Sequence, residues 1–272
     1  MKGSAVMSDH PAMATIHDTP PTIDWKQWLQ RWDKQQTGYL PDREARFTAM
    51  LDVLEVLLPE TFVALDLACG PGAISQRLLT RFPRARSVAV DLDPVLLAMG
   101  QAVLGTMQGR LRWVEADLMT EAWLTQLGEE HVDAVLSTTA LHWLPAEHLT
   151  RLYRQLGQLV RPGGVFLNGD NLKFRPSLPS FQRMAEASKA RWQAEAFTQR
   201  GEEDWGRWWE ALAAEPALQE LFAERERRFS WKAHGWHAPI FEVHEAALHD
   251  AGFREVGVIW QHMENRVLMA VR

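Results

Sequence analysis

The hydrophobic positions of the chain follow two different periods. From about residue 24 to 58 they recur every three or four positions, which predicts two amphipathic helices separated by the turn "YLPDRE". From residue 62 onward, short apolar runs alternate with helical patterns, which predicts β/α units and a parallel sheet. The predicted strands are 62–68, 86–91, 110–117, 132–138 and 165–170, and the helices between them are 72–82, 94–104, 119–128 and 146–160.

The alternation stops after residue 170. Helical patterns then fill a long segment, a further helix is predicted over 241–253, and two short strands form a terminal hairpin. The sequence therefore predicts an α/β fold with an inserted helical cap. Its predicted parts are a disordered leader at 1–22, an N-terminal helical segment at 23–60, an α/β domain over 61–170 and 241–272, and the cap over 171–240.

Tryptophan is unusually frequent, with 13 tryptophans against 2 tyrosines. Trp25, Trp28 and Trp32 recur at helical spacing in the first predicted helix. A second group lies within the predicted cap. Aromatic surface at this density fills the core of a helical subdomain or forms the wall of an apolar pocket. We expect the core. The second group consists of Trp192, Trp205, Trp208, Trp209, Trp231 and Trp236.

Charge and cysteine content argue against several classes of protein. The 272-residue chain has a net charge of −6, and its longest basic cluster, "RERR" at 225–228, lies among glutamates and is interpreted as a solvated helix face. Nucleic-acid binding is therefore disfavoured. A single cysteine, Cys69, excludes an internal disulfide and a multi-cysteine metal site, so no metal is expected. No apolar run approaches membrane-spanning length, which favours a cytoplasmic protein without membrane contact. A homodimer is left open.

The sequence "LDLACGPGAIS", residues 65–75, places a glycine-rich turn between a predicted strand and a predicted helix. The dinucleotide fingerprint needs a third glycine where Ser75 stands, and the Gly-Lys-Ser/Thr of a P-loop does not follow. Asp66 ends the strand, and a carboxylate about 4 Å from a pyrophosphate charge would be repelled by about 4 kcal/mol at an effective dielectric constant of about 20. Asp66 therefore favours a cationic cofactor, S-adenosylmethionine.

Two further aspartates end the next two predicted strands. Asp91 lies about 20 residues beyond the glycines, where a carboxylate can accept hydrogen bonds from both ribose hydroxyls, and Asp117 would reach an adenine amino group. Ligands of open α/β sheets bind at this edge. A single aspartate at a strand end can simply cap a helix. Three aspartates at the ends of successive strands, together with a glycine turn, favour a cofactor site.

Five segments in order resemble the successive motifs of class I S-adenosylmethionine-dependent methyltransferases: "VALDLACGPGAIS", "AVDLDP", "WVEADL", "DAVLSTTALHWL" and "LVRPGGVFL". The resemblance implies a Rossmann-like sheet of seven strands, mostly parallel with the last strand antiparallel, and S-adenosylmethionine as cofactor. By motif position, Asp66, Ala68, Gly70 and Gly72 would border the methionine part, Asp91 and Leu92 the ribose, and Asp117 and Leu118 the adenine. Ser137, at the end of the fourth predicted strand, is included with these cofactor residues.

Within that family, "ALHWL" is similar to the trans-aconitate methyltransferase branch and to other small-molecule enzymes. The ending "AGFREVGVIWQ" and "NRVLMAVR" is similar to tRNA-wobble enzymes of carboxy-S-adenosylmethionine metabolism. The fourth strand lacks the Asn/Asp-Pro-Pro-aromatic signature of many enzymes that methylate amino groups or nucleobases. That absence disfavours a nucleobase acceptor.

Several residues are candidates for catalysis and for binding the methyl acceptor. His142 follows the fourth strand and is the first candidate for a general base, with His234 and His237 of "HGWHAP" next. Alternatively, His142 bonds only to backbone at a helix start. Tyr39, Arg43 and Arg46, before the sheet, would cover the methionine end, where an arginine can pair with the methionine carboxylate or an acidic substrate, unless they belong to a surface helix. The candidate acceptor-binding residues are Trp143, Asn168, Asp170, Asn171 and Trp236. Alternatively, Asn168, Asp170 and Asn171 simply form a turn after the fifth strand.

The sequence thus favours a methyltransferase that acts on a small molecule, with 171–240 as a lid over an aromatic-rich acceptor pocket. O-methylation is the leading hypothesis, and N- or C-methylation is close behind. A tRNA-modifying enzyme, acting by methylation or by forming the carboxylated cofactor, is the first alternative. A non-catalytic S-adenosylmethionine-binding regulator is the second. A dehydrogenase requires that Asp66 point away from the cofactor.

Overall fold

The computed structural model describes residues 23–230 and 239–272. The predicted leader, together with the site candidates His234, Trp236 and His237, lies outside the described residues. Within the described ranges, no helix has both the length and the apolar character needed to span a bilayer. The same residues contain no group of three or more His, Cys, Asp or Glu side chains placed to hold a metal ion.

A seven-stranded sheet forms the centre of the fold, with the strand order β3-β2-β1-β4-β5-β7-β6. The first five strands are parallel, and β7 is antiparallel to both of its neighbours, β5 and β6. The predicted Rossmann-like sheet with an antiparallel last strand is confirmed. The strands are β1 (Val63–Leu67), β2 (Arg86–Asp91), β3 (Leu111–Glu115), β4 (Val132–Thr138), β5 (Val160–Asn171), β6 (Glu255–His262) and β7 (Asn265–Val271).

The helices agree closely with the predicted segments. They are α1 (Trp25–Tyr39), α2 (Arg43–Leu57), α3 (Ala73–Arg81), α4 (Pro94–Leu104), α5 (Ala122–Leu127), α6 (Ala146–Leu159), α7 (Pro179–Gln193), α8 (Trp205–Ala213), α9 (Gln219–Phe229) and α10 (Phe241–Asp250). A π-helical turn, Ala194–Gln199, continues α7. The fifth strand is longer than predicted, because Val160 pairs with Val132 and pairing resumes at Val165, beyond the "RPGG" segment.

Both faces of the sheet are covered, which explains the continuous apolar runs of the central strands. Successive side chains of a strand point to opposite faces. Leu65 and Leu67 of β1 accordingly pack into one core with α6 and α10, whereas Ala64 packs into a second core with α2 and α3. Because β1 to β5 are parallel, their carboxyl ends lie at one edge of the sheet, together with the loops that follow them.

Four of the tryptophans form a third core, as expected, whereas Trp192 and Trp205 line the cavity described below and Trp231 and Trp236 lie outside the described residues. Trp28 and Trp32 of α1 pack against Trp208 and Trp209 of α8, and all four are buried. The ring centroids of Trp32 and Trp208 lie 4.9 Å apart, in an edge-to-face arrangement. The cluster also includes the first turns of α4 through Val95, Leu96 and Met99. Helices α1 and α8 thus pack together over the start of α4, at the edge where the parallel strands end.

Candidate active site

A cavity of about 460 Å³ lies between the carboxyl edge of the sheet and the helices above it. The sheet side is formed by residues at the ends of the parallel strands, among them Ala68, Gly70, Asp91, Leu92, Asp117 and Leu118. The helical side is formed by residues of α1, α7, α8 and α9, among them Tyr39, Lys189, Trp192, Trp205, Arg225 and Phe229. The cavity is where the sequence predicted a ligand site.

The glycine turn adopts a backbone conformation that requires glycine. Gly70 and Gly72 have φ of +54° and +84°, in the left-handed region that side chains disfavour. A Cβ at Gly72 would also lie 2.6 Å from the ring of Trp113. Helix α3 begins at the next residue, so the turn presents the amino end of a helix beside the cavity. Gly70 lines the cavity, whereas Gly72 lies behind it, against Trp113.

The predicted cradle of three carboxylates needs a correction at Asp66. Asp66 is buried and is not among the residues that line the cavity. Its Oδ2 accepts hydrogen bonds from Ser75 N at 2.9 Å and from Ser75 Oγ at 2.7 Å. Burial raises the pKa of Asp66 to about 7, against the effect of these hydrogen bonds. Asp66 therefore holds the start of α3 against β1.

Asp91 and Asp117 are on the wall, as predicted. Asp91 Oδ2 accepts a hydrogen bond from Gly70 N at 2.7 Å, and its Oδ1 accepts from Asp93 N at 2.8 Å. Burial, with a smaller effect of the Asp93 carboxylate, raises the pKa of Asp91 to about 6. Asp117 Oδ1 accepts from Met119 N at 2.9 Å. Each carboxylate oxygen keeps a further lone pair for a ligand donor.

Two other predicted cofactor residues lie behind the wall. Ser137 is fully buried, and its hydroxyl donates to Leu67 O at 2.8 Å, which joins the ends of β4 and β1. Arg46 is also fully buried and does not line the cavity, which corrects its predicted place over the cofactor. Its guanidinium bonds to Asn265 Oδ1 at 2.9 Å, to Thr139 Oγ1 at 2.6 Å and to Thr138. Burial lowers the pKa of Arg46 to about 10.

Tyr39 lines the cavity, and its hydroxyl accepts a hydrogen bond from Trp205 N at 3.0 Å. Arg43, one turn before Arg46 on α2, is the arginine that reaches the wall. Its guanidinium pairs with Asp33 at 2.7 Å, and burial lowers its pKa. The N-terminal helices thus cover one side of the cavity, although through Arg43 rather than Arg46.

His142 forms a pair with Asp170 at the cavity wall. The distance from His142 Nδ1 to Asp170 Oδ1 is 2.7 Å, and the His142 backbone N–H donates to Asp170 Oδ2 at 3.1 Å. Asp170 is fully buried at the end of β5. Burial alone would raise the pKa of Asp170, but the charges of His142 and Arg46 and the hydrogen bond from His142 lower it below its usual value. A carboxylate at Nδ1 assigns the proton to that nitrogen and leaves Nε2 as the basic atom.

The predicted acceptor residues fall into two groups. Trp143 and Asn171 line the cavity, and the Trp143 ring lies 5.0 Å from the imidazole of His142. Asn168 is fully buried in β5 and does not line the cavity, which corrects its predicted contact with the acceptor. Cys69 borders the cavity, and burial raises the pKa of its thiol well above the usual value, which disfavours a role as nucleophile.

The sequence predicted that 171–240 covers the acceptor pocket, but it did not identify the individual wall residues that helices α7 and α9 and the terminal hairpin contribute. Lys189, Trp192, Arg225, Phe229 and His262 are among them. The interpretation of "RERR" as a solvated face is wrong for two of its three arginines. Arg225 pairs with Asp93 and Arg228 with Glu115, whereas Arg227 is 74% exposed. The glutamates next to these arginines made the segment resemble a solvated helix face. The partners of Arg225 and Arg228 lie more than 100 positions away, so no local pattern indicates them.

Comparisons with known proteins agree with this architecture. Residues 64–164 match the family model described as a methyltransferase domain. The chain is 36% identical over 138 residues to a trans-aconitate 2-methyltransferase of Azoarcus sp. (strain BH72), which covers 50% of this chain and 49% of that protein. The matched region therefore spans about half the length of this curated relative.

Two solved structures share the fold. Human N-acetylserotonin methyltransferase in complex with S-adenosylmethionine superposes with a TM-score of 0.53 at 14% identity, covering 91% of this chain and 57% of that chain. An O-methyltransferase family protein from Burkholderia thailandensis gives a TM-score of 0.52 at 20% identity, covering 90% and 70%. In strand order, and over residues 64–164 in sequence, the chain is similar to the class of S-adenosylmethionine-dependent methyltransferase domains. Relatives that it matches in sequence include trans-aconitate 2-methyltransferases.

The residues present fit the cofactor of this class, S-adenosylmethionine. The carboxylates of Asp91 and Asp117 stand at neighbouring strand ends on one wall, next to the left-handed turn at Gly70. Two acceptors of this kind suit a ribose diol and an amino group. Their negative charge also suits a ligand with a sulfonium.

Proposed function

We propose that the protein transfers a methyl group from S-adenosylmethionine to a hydroxyl oxygen of a small molecule, with His142 as general base. The observation that carries the proposal is the His142–Asp170 pair in the wall of the same cavity as Gly70 and Asp91. An imidazole oriented by a buried carboxylate is the arrangement by which enzymes hold a histidine ready to accept a proton.

When bound, S-adenosylmethionine supplies an electrophilic methyl carbon on a positively charged sulfur. In this proposal Asp91 binds the ribose hydroxyls and Asp117 the adenine amino group, while Ala68 and Gly70 lie beside the methionine part. The enzyme's main task is then to align the acceptor with that carbon, because orientation alone can contribute about 7–11 kcal/mol to lowering the barrier.

His142 completes the reaction for an acceptor that carries a proton. His142 Nε2 would take the proton that the hydroxyl oxygen loses when it is methylated, and the cofactor would supply the methyl group and keep the electron pair of its carbon–sulfur bond. Asp170 holds the imidazole by Nδ1 and stabilises the imidazolium that results. General-base catalysis of this kind contributes about 10²–10⁴-fold to the rate.

The second candidate function is methylation of a carboxylate, which the similarity to trans-aconitate 2-methyltransferases favours. A carboxylate acceptor needs no base, because it attacks without losing a proton. The two candidates therefore differ in what His142 does, and that difference can be measured.

The test measures S-adenosylhomocysteine formation with a panel of hydroxyl-bearing aromatic acceptors and with trans-aconitate. For a hydroxyl acceptor, His142→Gln is expected to lower kcat by about 10²-fold or more while the Kd of the cofactor stays within twofold. His131→Gln is the matched control, since His131 is exposed and lies outside the cavity. Turnover of trans-aconitate that survives His142→Gln would favour the carboxylate reaction instead.

Three further functions that the sequence left open would each give a different outcome. A tRNA-modifying enzyme would produce methylated RNA, or the carboxylated cofactor detectable by mass spectrometry. A non-catalytic regulator would bind S-adenosylmethionine and turn over no acceptor. A dehydrogenase would bind a nicotinamide dinucleotide tightly.

A further inference from the structure

Helix α9 is fastened to the sheet by two arginines one turn apart. Arg225 Nε donates to Asp93 Oδ2 at 2.7 Å. Arg228 donates from Nη1 to Leu92 O at 2.9 Å and from Nη2 to Glu115 Oε1 at 2.6 Å. Helix α9 is therefore bonded to the loop that follows β2 and to the end of β3, the two places where the ribose and adenine are proposed to bind.

The loop after β2 depends on these contacts for its shape. Asp93 N donates to Asp91 Oδ1, and Asp93 Oδ1 caps α4 by accepting from Val95 N at 3.1 Å and Leu96 N at 3.3 Å. The side chain of Asp93 is only 5% exposed, so its second oxygen needs a charged partner, which Arg225 supplies. The position of Asp91 in the wall is thus fixed partly through Asp93 and Arg225.

Arg225 is itself held in place by the aromatic core. Its guanidinium carbon lies 3.7 Å from the ring centroid of Trp209, and it also lies over Phe229 at 5.3 Å. Arg225 and Phe229 both line the cavity. The inner face of α9 consequently closes the cavity on the side of Leu92 and Asp93.

We propose that Arg225 and Arg228 are positioning residues for the cofactor: they hold the loop after β2 in its binding shape and keep α9 closed over the bound adenosyl group. The inference rests on the proposed function, since it assumes that Asp91 binds the ribose. It predicts that these arginines determine how long the cofactor and its demethylated product stay bound, and that they have little effect on the methyl-transfer step itself.

The test compares Arg225→Gln, Arg228→Gln and the double variant with Arg227→Gln in the full-length protein. Arg227 is on the same helix with the same charge, but it is 74% exposed and pairs with Glu224 of its own helix. Kd of S-adenosylhomocysteine is measured by calorimetry, and its dissociation rate by stopped-flow tryptophan fluorescence. Loss of a hydrogen bond between charged groups changes an equilibrium about tenfold or more. We expect that increase in both Kd and dissociation rate for the double variant, and less than twofold change for Arg227→Gln.

Single-turnover methyl transfer at saturating cofactor separates positioning from general damage. In the double variant its rate is expected to stay within about threefold of the wild type, while KM for the cofactor rises in parallel with Kd. Equal dissociation rates in the double variant and the Arg227→Gln control would overturn the proposal.

A charge reversal across the Arg228–Glu115 ion pair distinguishes loss of that contact from misfolding. Glu115→Arg and Arg228→Glu reverse the ion pair; Glu115 is 53% exposed, whereas Arg228 is 19% exposed and also contacts Glu224 and Leu92 O, so the reversal re-forms one of its three contacts. Each single change is expected to raise the dissociation rate, and their combination to restore it at least in part; absence of restoration argues against the Arg228 contact. Wild-type protein that binds neither S-adenosylmethionine nor S-adenosylhomocysteine would overturn the proposed function itself, whereas wild-type binding with unaltered variants overturns only the role of α9.

Discussion

Asp170 accepts two hydrogen bonds from His142, one from Nδ1 at 2.7 Å and one from the backbone N–H at 3.1 Å. The carboxylate thus fixes both the ring orientation and the backbone of the loop after β4. Arg46 lies beyond this pair as a buried cation whose charge lowers the pKa of Asp170. Nδ1 of His142, which carries the proton, is therefore turned toward the buried Asp170 carboxylate, while the imidazole itself lines the cavity.

The first prediction concerns this pair. Asp170→Asn keeps the shape of the side chain but removes the charge and offers the imidazole an amide in its place. We expect kcat for a hydroxyl acceptor to fall by about 10²–10⁴-fold, with the cofactor Kd unchanged within about threefold. The measurement is steady-state kinetics beside calorimetric titration of S-adenosylhomocysteine. A kcat within threefold of the wild type contradicts the assignment of His142 as base.

The second prediction is a pH dependence of cofactor affinity. The pKa of Asp91 is raised to about 6, so the carboxylate that accepts from the ribose becomes protonated as the pH falls through that value. The Kd of S-adenosylhomocysteine is expected to be flat from pH 8 to 7 and about tenfold higher at pH 5. Asp91→Asn should bind weakly at every pH and lose this dependence. An Asp91→Asn variant with the wild-type pH profile would assign the titration to another group.

The third prediction concerns stability and Asp66. Its pKa is raised from 3.8 to about 7 in the folded state, so folding favours the protonated form. For an acid shifted in this direction, the stability that the group contributes increases as the pH falls. Between pH 8 and 5, the free energy of unfolding of the wild type should rise relative to Asp66→Asn by up to about 2.5 kcal/mol. Urea titrations of both proteins at each pH measure it, and a difference independent of pH would be the contrary result.

The fourth prediction concerns packing behind the glycine turn. A Cβ at Gly100 would lie 2.4 Å from the ring of Trp113 and 2.9 Å from Pro71 O. Gly100→Ala is therefore expected to destabilise the protein by about 1–3 kcal/mol through overpacking, and to weaken cofactor binding because Pro71 belongs to the turn. Gly257→Ala, where nothing lies within 4 Å of the added carbon, is the control. Trp113→Leu should partly rescue Gly100→Ala, and rescue is measured by thermal unfolding.

Most of the fold could be predicted because it depends on local pattern. Strand β2 and helix α4 have the bounds that hydrophobic period and the proline at the helix start indicate. The place of Asp91 on the wall follows from its position at the end of a parallel strand. The same reasoning failed for Asp66, since proximity to the sheet edge does not say whether a side chain turns toward the cavity or toward Ser75.

The remaining site residues depend on contacts between distant segments. Arg46 reaches Asn265, 219 positions away, across a strand position where Gly169 leaves room for its side chain. Arg225 and Arg228 find their partners 132 and 113 positions away. The hydrophobic pattern within α2 or α9 does not distinguish an arginine with such a distant partner from an arginine on a solvated helix face.

The tryptophan core has a consequence for the order in which the protein is made. Trp28 and Trp32 lie in the first described helix, but the indoles that cover them, Trp208 and Trp209, are synthesised more than 160 residues later. At about 5–20 residues per second, roughly 9–36 s pass on the ribosome before those partners are synthesised. The first described helix is thus among the last to be buried.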